Sequence, residues 1–229
     1  MKHLPYLILI AVFMFSCMNN ERTNKNLSDT EIKIDSIVAD TTKFLISDLP
    51  IIFDSTNYAL HCIGFYDTYS RGKRYFVSEN GRRDYGTNTL SISGQIANIV
   101  FENIKTEEKY LLTRNLLLIC HIEYMGYIAQ KTNNQYLLYE LYDKDNNNDN
   151  EINTNDIKSL YISNINGKNF KKITIDNNEF LNGNFIEENM RYYFRTKDVA
   201  KKGKLHYYYI EFTNDDYSTY EYFPLELLK

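Results

Sequence analysis

Oxygen-bearing side chains between residues 143 and 158 have the types and spacing of a ligand set for a hard metal ion. Taking Asp145 as the first position of a loop, the donors at its odd positions and at its end are Asp145, Asn147, Asp149, Glu151, Asn153 and Asp156. Calcium takes about six to eight oxygen ligands in flexible geometry, and a loop of about twelve residues with donors at these positions wraps the ion. The spacing therefore predicts a calcium site, with Glu151 contributing its backbone carbonyl.

Two further residues support this loop frame. Asn150 occupies its sharp turn, where glycine is usual and asparagine is the next best residue for a positive φ. Ile152 supplies an apolar anchor to the core. The frame resembles the loops of dockerin modules and EF-hands, with Asp156 in place of a longer Glu and Asn147 as a neutral donor. The resemblance implies a structural Ca²⁺ ion held weakly, with a Kd on the order of 10⁻⁴ to 10⁻³ M.

The alternative for this segment is an asparagine-rich hydrophilic loop without an ion, since low-complexity tracts produce such spacings by chance. A bound ion would order the connection between two strands of one blade, which we predict at Tyr136 to Tyr142 and Leu160 to Ile165. A dockerin role is not expected, because that module uses paired loops and the sequence shows one.

His121 and Glu123 alternate onto one face of a predicted strand, where they could act as an acid–base pair or as ligands. A solvated strand face is the ordinary explanation of such alternation. The sequence has no G-x-S-x-G, H-E-x-x-H, P-loop or Rossmann glycine motif. It therefore favours a non-enzymatic role, and an enzyme with scattered catalytic groups is the alternative.

Cys17 follows a basic start, an apolar run from Leu4 to Phe15 and the small residue Ser16. This run is shorter than the roughly 20 residues that a membrane-spanning helix needs, and the layout is that of a signal peptide. A small residue directly before a cysteine resembles the lipobox of bacterial lipoproteins. The resemblance implies removal of residues 1–16, palmitate and other lipid on Cys17, and anchoring in the cell envelope. Met18 favours the outer membrane, while an ordinary secreted protein or an uncleaved anchor is the alternative.

Residues 17–43 are polar, which predicts a flexible tether between the lipidated cysteine and the domain. Alternation of Ile32 with Ile34 would instead begin a first strand. The net charge of −4 is mild and evenly spread, so nucleic acid is not an expected partner.

Two cysteines remain after Cys17. Cys62 and Cys120 each lie in an apolar stretch. An oxidising compartment permits a disulfide between them, and two buried free thiols are the alternative.

The elements that must position all these residues are strands. Tyrosine and phenylalanine supply 21 and 13 residues, and apolar runs end at Asn and Gly, which is typical of antiparallel β-structure. Asn-Gly is a strong hairpin signal, and it separates strand-like stretches at Asn80-Gly81, Asn166-Gly167 and Asn182-Gly183. We predict a single β-rich domain over residues 44–229, with the calcium loop inserted near 143–158.

Residues 98–113 and 159–174 share a pattern of strand, polar turn and second strand ending in threonine, with Ile99 matching Leu160. A looser third copy begins at His206. Such repeats indicate stacked supersecondary units. Residues 159–174 also resemble the inner hairpin of TolB-like β-propeller blades. The resemblance implies an all-β fold of antiparallel hairpins in a small or partial propeller, and a β-sandwich is the alternative.

These features together predict a membrane-anchored extracytoplasmic module for binding or scaffolding, with a structural calcium site. Its partner would be an envelope protein, a peptide or a glycan, and Tyr207, Tyr208 and Tyr209 could line the groove that binds it. Tyrosines that pack inside the sheet are the alternative for these three, and a cell-envelope hydrolase is the alternative for the function.

Overall fold

The computed structural model describes residues 43–53, 55–67, 91–201 and 203–224. These residues form strands, one short helix and one 3-10 turn at Glu187–Asn189. The strands and the helix, in chain order, are β1 Lys43–Ser47, β2 Ile51–Ile52, β3 Tyr58–Asp67, β4 Ser91–Asn103, β5 Lys109–Leu111, β6 Leu118–Tyr124, α1 Gly126–Lys131, β7 Tyr136–Tyr142, β8 Lys158–Asn164, β9 Lys171–Lys172, β10 Asn178–Ile186, β11 Arg191–Asp198, β12 Leu205–Phe212 and β13 Tyr217–Tyr222.

Alternation of apolar and polar residues explains why these segments are strands. In β11, Tyr192, Phe194 and Thr196 are buried while their neighbours are partly or fully exposed. Successive side chains of a strand point to opposite faces, so one face of β11 joins a core and the other meets solvent.

The strands form two antiparallel sheets. The first follows the order β1-β3-β4-β6-β7-β8-β9, with β2 paired to β3 and β5 paired to β4, and the second follows β10-β11-β12-β13. Every pairing is antiparallel, so the predicted all-β class of antiparallel hairpins is confirmed.

Two apolar clusters fill the fold. The first contains Ile99, Phe101 and Tyr139 and lies on one face of the first sheet. The second joins the other face of that sheet to the second sheet, as Leu160 packs in one cluster with Phe194. A core shared between two sheet faces is the arrangement of the sandwich alternative, while the consecutive order of the second sheet is that of a propeller blade.

The predicted repeat corresponds to two equivalent hairpins. β4 turns into β5 and β8 turns into β9, and the matched positions make matched hydrogen bonds. The Leu112 amide donates to the Ile99 carbonyl at 2.9 Å, and the Ile173 amide donates to the Leu160 carbonyl at 2.8 Å. The looser third copy is the β12–β13 hairpin of the second sheet.

The three predicted Asn-Gly hairpins have different outcomes. Asn166-Gly167 lies in the turn between β8 and β9, where the Gly167 amide donates to the Asn164 carbonyl at 2.8 Å. The turn predicted at Asn182-Gly183 is wrong, because both residues lie inside β10 beside a register shift. A side chain at Gly183 would overlap the Tyr192 ring, so close packing explains this glycine. Asn80-Gly81 lies outside the described residues.

Candidate functional site

The predicted calcium loop is the connection between β7 and β8. These strands pair along their whole length, with Tyr136 opposite Asn164 and Tyr142 opposite Lys158. The loop therefore joins two neighbouring strands of the first sheet. Hydrogen bonds between β7 and β8 hold the two ends of the loop at a fixed separation. The long polar connection can therefore fold back so that its two ends meet.

The first half of the loop turns around the Asp145 carboxylate. One of its oxygens accepts the Asn148 amide at 2.6 Å, and the other accepts the Asn150 amide at 2.9 Å. Asn148 and Asn150 have positive φ values of 62° and 67°. Asparagine tolerates this backbone better than most residues, so the sharp turn expected at Asn150 is present.

The second half of the loop closes on Asp156. This carboxylate is 5% exposed and accepts the Asn146 amide at 2.7 Å and the Asn153 amide at 2.9 Å. Because Asn146 is near the beginning of the loop and Asp156 is its last residue, the hydrogen bond that Asp156 accepts from Asn146 ties the beginning of the loop to its end. A buried carboxylate is costly unless it is hydrogen-bonded, which explains why these amides converge on it.

The remaining donors bond to one another. Asp149 accepts the side-chain amides of Asn147 and Asn153 at 3.0 and 3.1 Å. The pKa of Asp149 lies below its usual range, chiefly because the Glu151 amide donates to it. Among the described residues, no group of three or more His, Cys, Asp or Glu side chains is arranged to hold a metal ion.

The donor types and the backbone frame nevertheless suit a hard cation. Carboxylate, amide and carbonyl oxygens at alternate positions are what calcium prefers. Asp145, Asn147, Asp149, Asn153 and Asp156 would supply side-chain oxygens, and the Glu151 carbonyl would supply another. Binding would exchange the contacts between side chains in the loop for contacts to the ion.

A groove of about 750 Å³ opens beside this loop. It runs between the segment before β6 and the β8–β9 hairpin, and Asp143 and Tyr161 lie in its lining. Asp143 accepts hydrogen bonds from the Tyr161 hydroxyl at 2.8 Å, the Lys172 ammonium at 3.0 Å and the Ser159 hydroxyl at 3.1 Å. Burial raises the pKa of Tyr161, and the hydrogen bond to Asp143 raises it further.

Aromatic rings and amides form the walls of the groove. Phe170 stacks on Tyr161 with ring centroids 4.7 Å apart. The Tyr110 hydroxyl donates to the Asn166 carbonyl at 2.5 Å, which holds the β8–β9 turn against β5. Exposed polar residues Asn115 and Lys168 also line the groove. The groove thus combines flat apolar surfaces with hydrogen-bonding groups, as ligand sites do.

His121 and Glu123 do share one face of β6, and that face is turned toward the second sheet. Glu123 pairs with Leu138 and His121 pairs with Glu140, so both belong to the face that carries the second cluster. The explanation as a solvated strand face is wrong for these two residues, since both are partly buried. Glu140 is paired with the Lys158 ammonium at 2.8 Å.

Burial changes the protonation of this pair. It raises the pKa of Glu123 to about 7, with a further contribution from Glu140. It lowers the pKa of His121, whose Nδ1 lies 2.8 Å from the Ser93 hydroxyl. Glu123 also lines a cleft of about 370 Å³ with Tyr127 and Glu187. The side chain of Glu123 has no hydrogen-bond partner within the part of the chain that the structure describes.

The three consecutive tyrosines divide between the faces of β12. Tyr208 is 8% exposed in the second cluster, whereas Tyr207 and Tyr209 point to the outer face. The outer face of the second sheet carries five tyrosines, which we call the tyrosine face: Tyr193, Tyr207, Tyr209, Tyr220 and Tyr222.

Cys62 and Cys120 are free thiols in this structure. They lie on β3 and β6, which are separated by β4. Two strand spacings, each roughly 5 Å, separate the Cα atoms of these cysteines by more than the roughly 7 Å that a disulfide can bridge. Burial raises the pKa of Cys62 to about 12 and that of Cys120 to about 11, so both thiols are unreactive at neutral pH.

Sequence reasoning did not find the groove. Asp143 and Lys172 are far apart in the chain, and they meet only because the β8–β9 hairpin returns along β8. Glu140 and Lys158 were also missed, since only the β7–β8 register places them side by side. Alternation within each strand indicates a shared face but not which strands are neighbours.

Cys17, the predicted signal peptide at residues 1–16 and all but the last residue of the predicted tether at 17–43 lie outside the described residues. Lys43 begins β1. Within the described ranges, no helix is both long and apolar enough to cross a membrane. The chain was compared with protein-family models, curated proteins and solved structures, and none of them matches it.

Proposed function

We propose that this chain is an extracytoplasmic lipoprotein, anchored through Cys17, that binds a ligand in the groove beside a calcium-ordered loop. The observation that carries the proposal is the position of Asp143. It lines the groove and receives three hydrogen bonds there, and it lies two residues before Asp145, the first donor of the loop. Ordering the loop would therefore hold the lining of the groove in place.

The lining of the groove suits a saccharide. Its volume of about 750 Å³ lies within the range of about 300–1,000 Å³ that small-ligand sites occupy. The Tyr161 and Phe170 rings offer apolar contact to the flat face of a sugar. The exposed Asn115 amide and Lys168 ammonium offer donors for its hydroxyl groups.

The calcium part is tested by thermal melts of the full chain carrying Cys17→Ser, in EDTA and in about 10 mM calcium. With the Kd expected for the loop, linkage gives roughly 1.5 to 3 kcal/mol of stabilisation. This corresponds to a rise in Tm of roughly 3 to 10 °C for a domain of this size.

The double variant Asp145→Ala, Asp149→Ala should lose this rise. Asp215→Ala is the matched control, because Asp215 is an exposed carboxylate in the β12–β13 turn and should keep the rise. Identical melts with and without calcium would remove the ion from the proposal.

The groove is tested by titrating oligosaccharides of envelope polysaccharides into the protein and following tyrosine fluorescence. Asn115→Ala and Lys168→Ala alter exposed residues of the groove and should weaken binding at least fivefold without lowering Tm. Lys204→Ala is the control, because Lys204 is exposed in another hairpin loop. If peptides bind and saccharides do not, the saccharide assignment is wrong.

A second candidate function, hydrolysis in the cell envelope, is favoured by one observation. Glu123 lines a cleft and has a pKa of about 7, so near neutral pH it holds a proton that it could donate as a general acid. Turnover of chromogenic ester or glycoside substrates that disappears in Glu123→Gln would support this function. Absence of turnover across such a panel would leave the binding role as the better account.

A further inference from the structure

Strand β13 is an edge strand of the second sheet. Within the described part of the chain it pairs with β12 alone, and residues 218–221 are exposed. Edge strands of monomeric proteins are usually blunted by Lys, Pro or a bulge, because their free amides and carbonyls attract other strands. The β13 sequence Tyr-Ser-Thr-Tyr-Glu-Tyr contains no Lys or Pro, and its register with β12 is continuous.

The tyrosine face extends up to this edge. Tyr209 stacks on Tyr220 at 5.1 Å between ring centroids and lies 5.6 Å from Tyr193. The Arg191 guanidinium lies 4.4 Å from the centre of the Tyr209 ring. Tyrosine and arginine on a rigid face are the residues that dominate protein-binding surfaces, because they supply large contact areas at low entropy cost.

Neighbouring side chains hold the two arginines of this face in place. Arg191 donates two hydrogen bonds to Glu211, and Arg195 donates to the Asn182 side chain at 2.8 Å. The tyrosine face thus combines aromatic rings with guanidinium groups held by hydrogen bonds. Its chemistry suits another protein surface of the same kind.

The most exposed aromatic side chains of the second sheet lie at this edge. Tyr220 is 45% exposed although one side of its ring contacts Tyr209, and Phe223, directly after β13, is 63% exposed. Both would lose exposed area if a further strand were added beside β13.

We propose that the edge of β13 pairs antiparallel with β13 of a second copy of this chain, about a two-fold axis at Tyr220. In an antiparallel pair, two residues that lie directly opposite each other point to the same face of the sheet. The two-fold axis must therefore set residues of the tyrosine face opposite residues of the same face in the copy. With Tyr220 opposite its copy, Ser218 lies opposite Tyr222 and Thr219 lies opposite Glu221. Moving the axis by one residue toward the C-terminus would set Glu221 against its own copy, and like charges directly opposite are destabilising.

The resulting dimer joins two four-stranded sheets into one, with the two tyrosine faces side by side. The pairing involves five residues of each chain, 218–222, so the interface lies at the small end of the range, below about 1,200 Å². We expect a reversible dimer with a Kd in the micromolar range. The inference does not depend on the groove or on the calcium loop, because neither contributes to this edge.

The test is sedimentation equilibrium of the full chain carrying Cys17→Ser, from about 1 to 300 µM. Tyr220→Lys places two ammonium groups together on the axis and should raise the dimer Kd at least tenfold. Thr219→Lys changes the adjacent residue, but it sets each new lysine opposite Glu221 of the copy, so the dimer should persist or tighten. Tyr207→Lys, on the same face but one strand inside the edge, is the matched control and should change the Kd less than threefold.

Disulfide trapping tests the register independently. Tyr220→Cys should form a covalent dimer on mild oxidation, and Ser218→Cys, which faces Tyr222 of the copy, should not. EDTA should leave both results unchanged, which separates this inference from the proposed calcium site. A chain that stays monomeric up to 300 µM would overturn the proposal, as would loss of the dimer in Thr219→Lys with retention in Tyr220→Lys.

Discussion

Replacing Gly167 by alanine tests how the β8–β9 hairpin packs against the first apolar cluster. Gly167 has a φ of +73°, and a Cβ at this position would overlap the Phe101 ring, which is fully buried. The left-handed backbone costs an alanine about 1 kcal/mol relative to glycine. Moving an aromatic ring in a packed core adds about 1 to 3 kcal/mol. We therefore expect Gly167→Ala to lose about 2 to 4 kcal/mol, or roughly 5 to 15 °C in Tm.

Gly203 provides the matched control. It has the same φ of +73°, but an added Cβ would meet only the flexible end of Lys197, with Cε at 3.0 Å. Gly203→Ala should therefore lower the free energy of unfolding only by the cost of the left-handed backbone, about 1 kcal/mol. Thermal melts and urea titrations of both variants measure the difference. Equal losses at the two positions would refute the claim that contact with Phe101 makes glycine necessary in this hairpin.

Three further substitutions test the buried polar groups. The folded-state pKa of Glu123 is raised from 4.5 to about 7, so its contribution to stability is fully present below pH 4.5 and is lost as the pH rises through 7. Glu123→Gln should flatten this dependence and gain on the order of 2 to 3 kcal/mol at pH 8, and pH-resolved urea titrations that match wild type would contradict it. The buried Thr196 hydroxyl has no partner among the described residues, so Thr196→Val should stabilise by about 1 kcal/mol in the same titrations; a loss instead would mean that the hydroxyl is bonded. Asp156→Ala leaves the Asn146 and Asn153 amides without their acceptor and should cost about 1 to 3 kcal/mol even in EDTA, whereas a cost seen only with calcium would show that the carboxylate acts solely through the ion.

Local patterns predicted the β-structure well because strand alternation and Asn-rich turns are short-range properties. The hairpins of the repeat and the position of the loop between β7 and β8 both followed from them. The turn predicted at Asn182-Gly183 was wrong for a physical reason. A glycine permits a turn, and it also permits an aromatic ring to lie against the backbone. Only the neighbouring strand reveals which of the two applies, because Tyr192 comes from β11.

The sequence by itself determined the all-β class, the twelve-residue frame from Asp145 to Asp156 and the turn at Asn150, since each depends on residues close together in the chain. Tertiary structure decided everything that depends on which strands are neighbours. It set Asp143 beside Lys172 in the groove and raised the pKa of Glu123 by burying it between two sheets. It also placed the tyrosine face beside the edge of β13, which pairs only with β12 among the described residues. Strand order and sheet packing join residues distant in sequence, and alternation within one strand carries no information about the strand beside it.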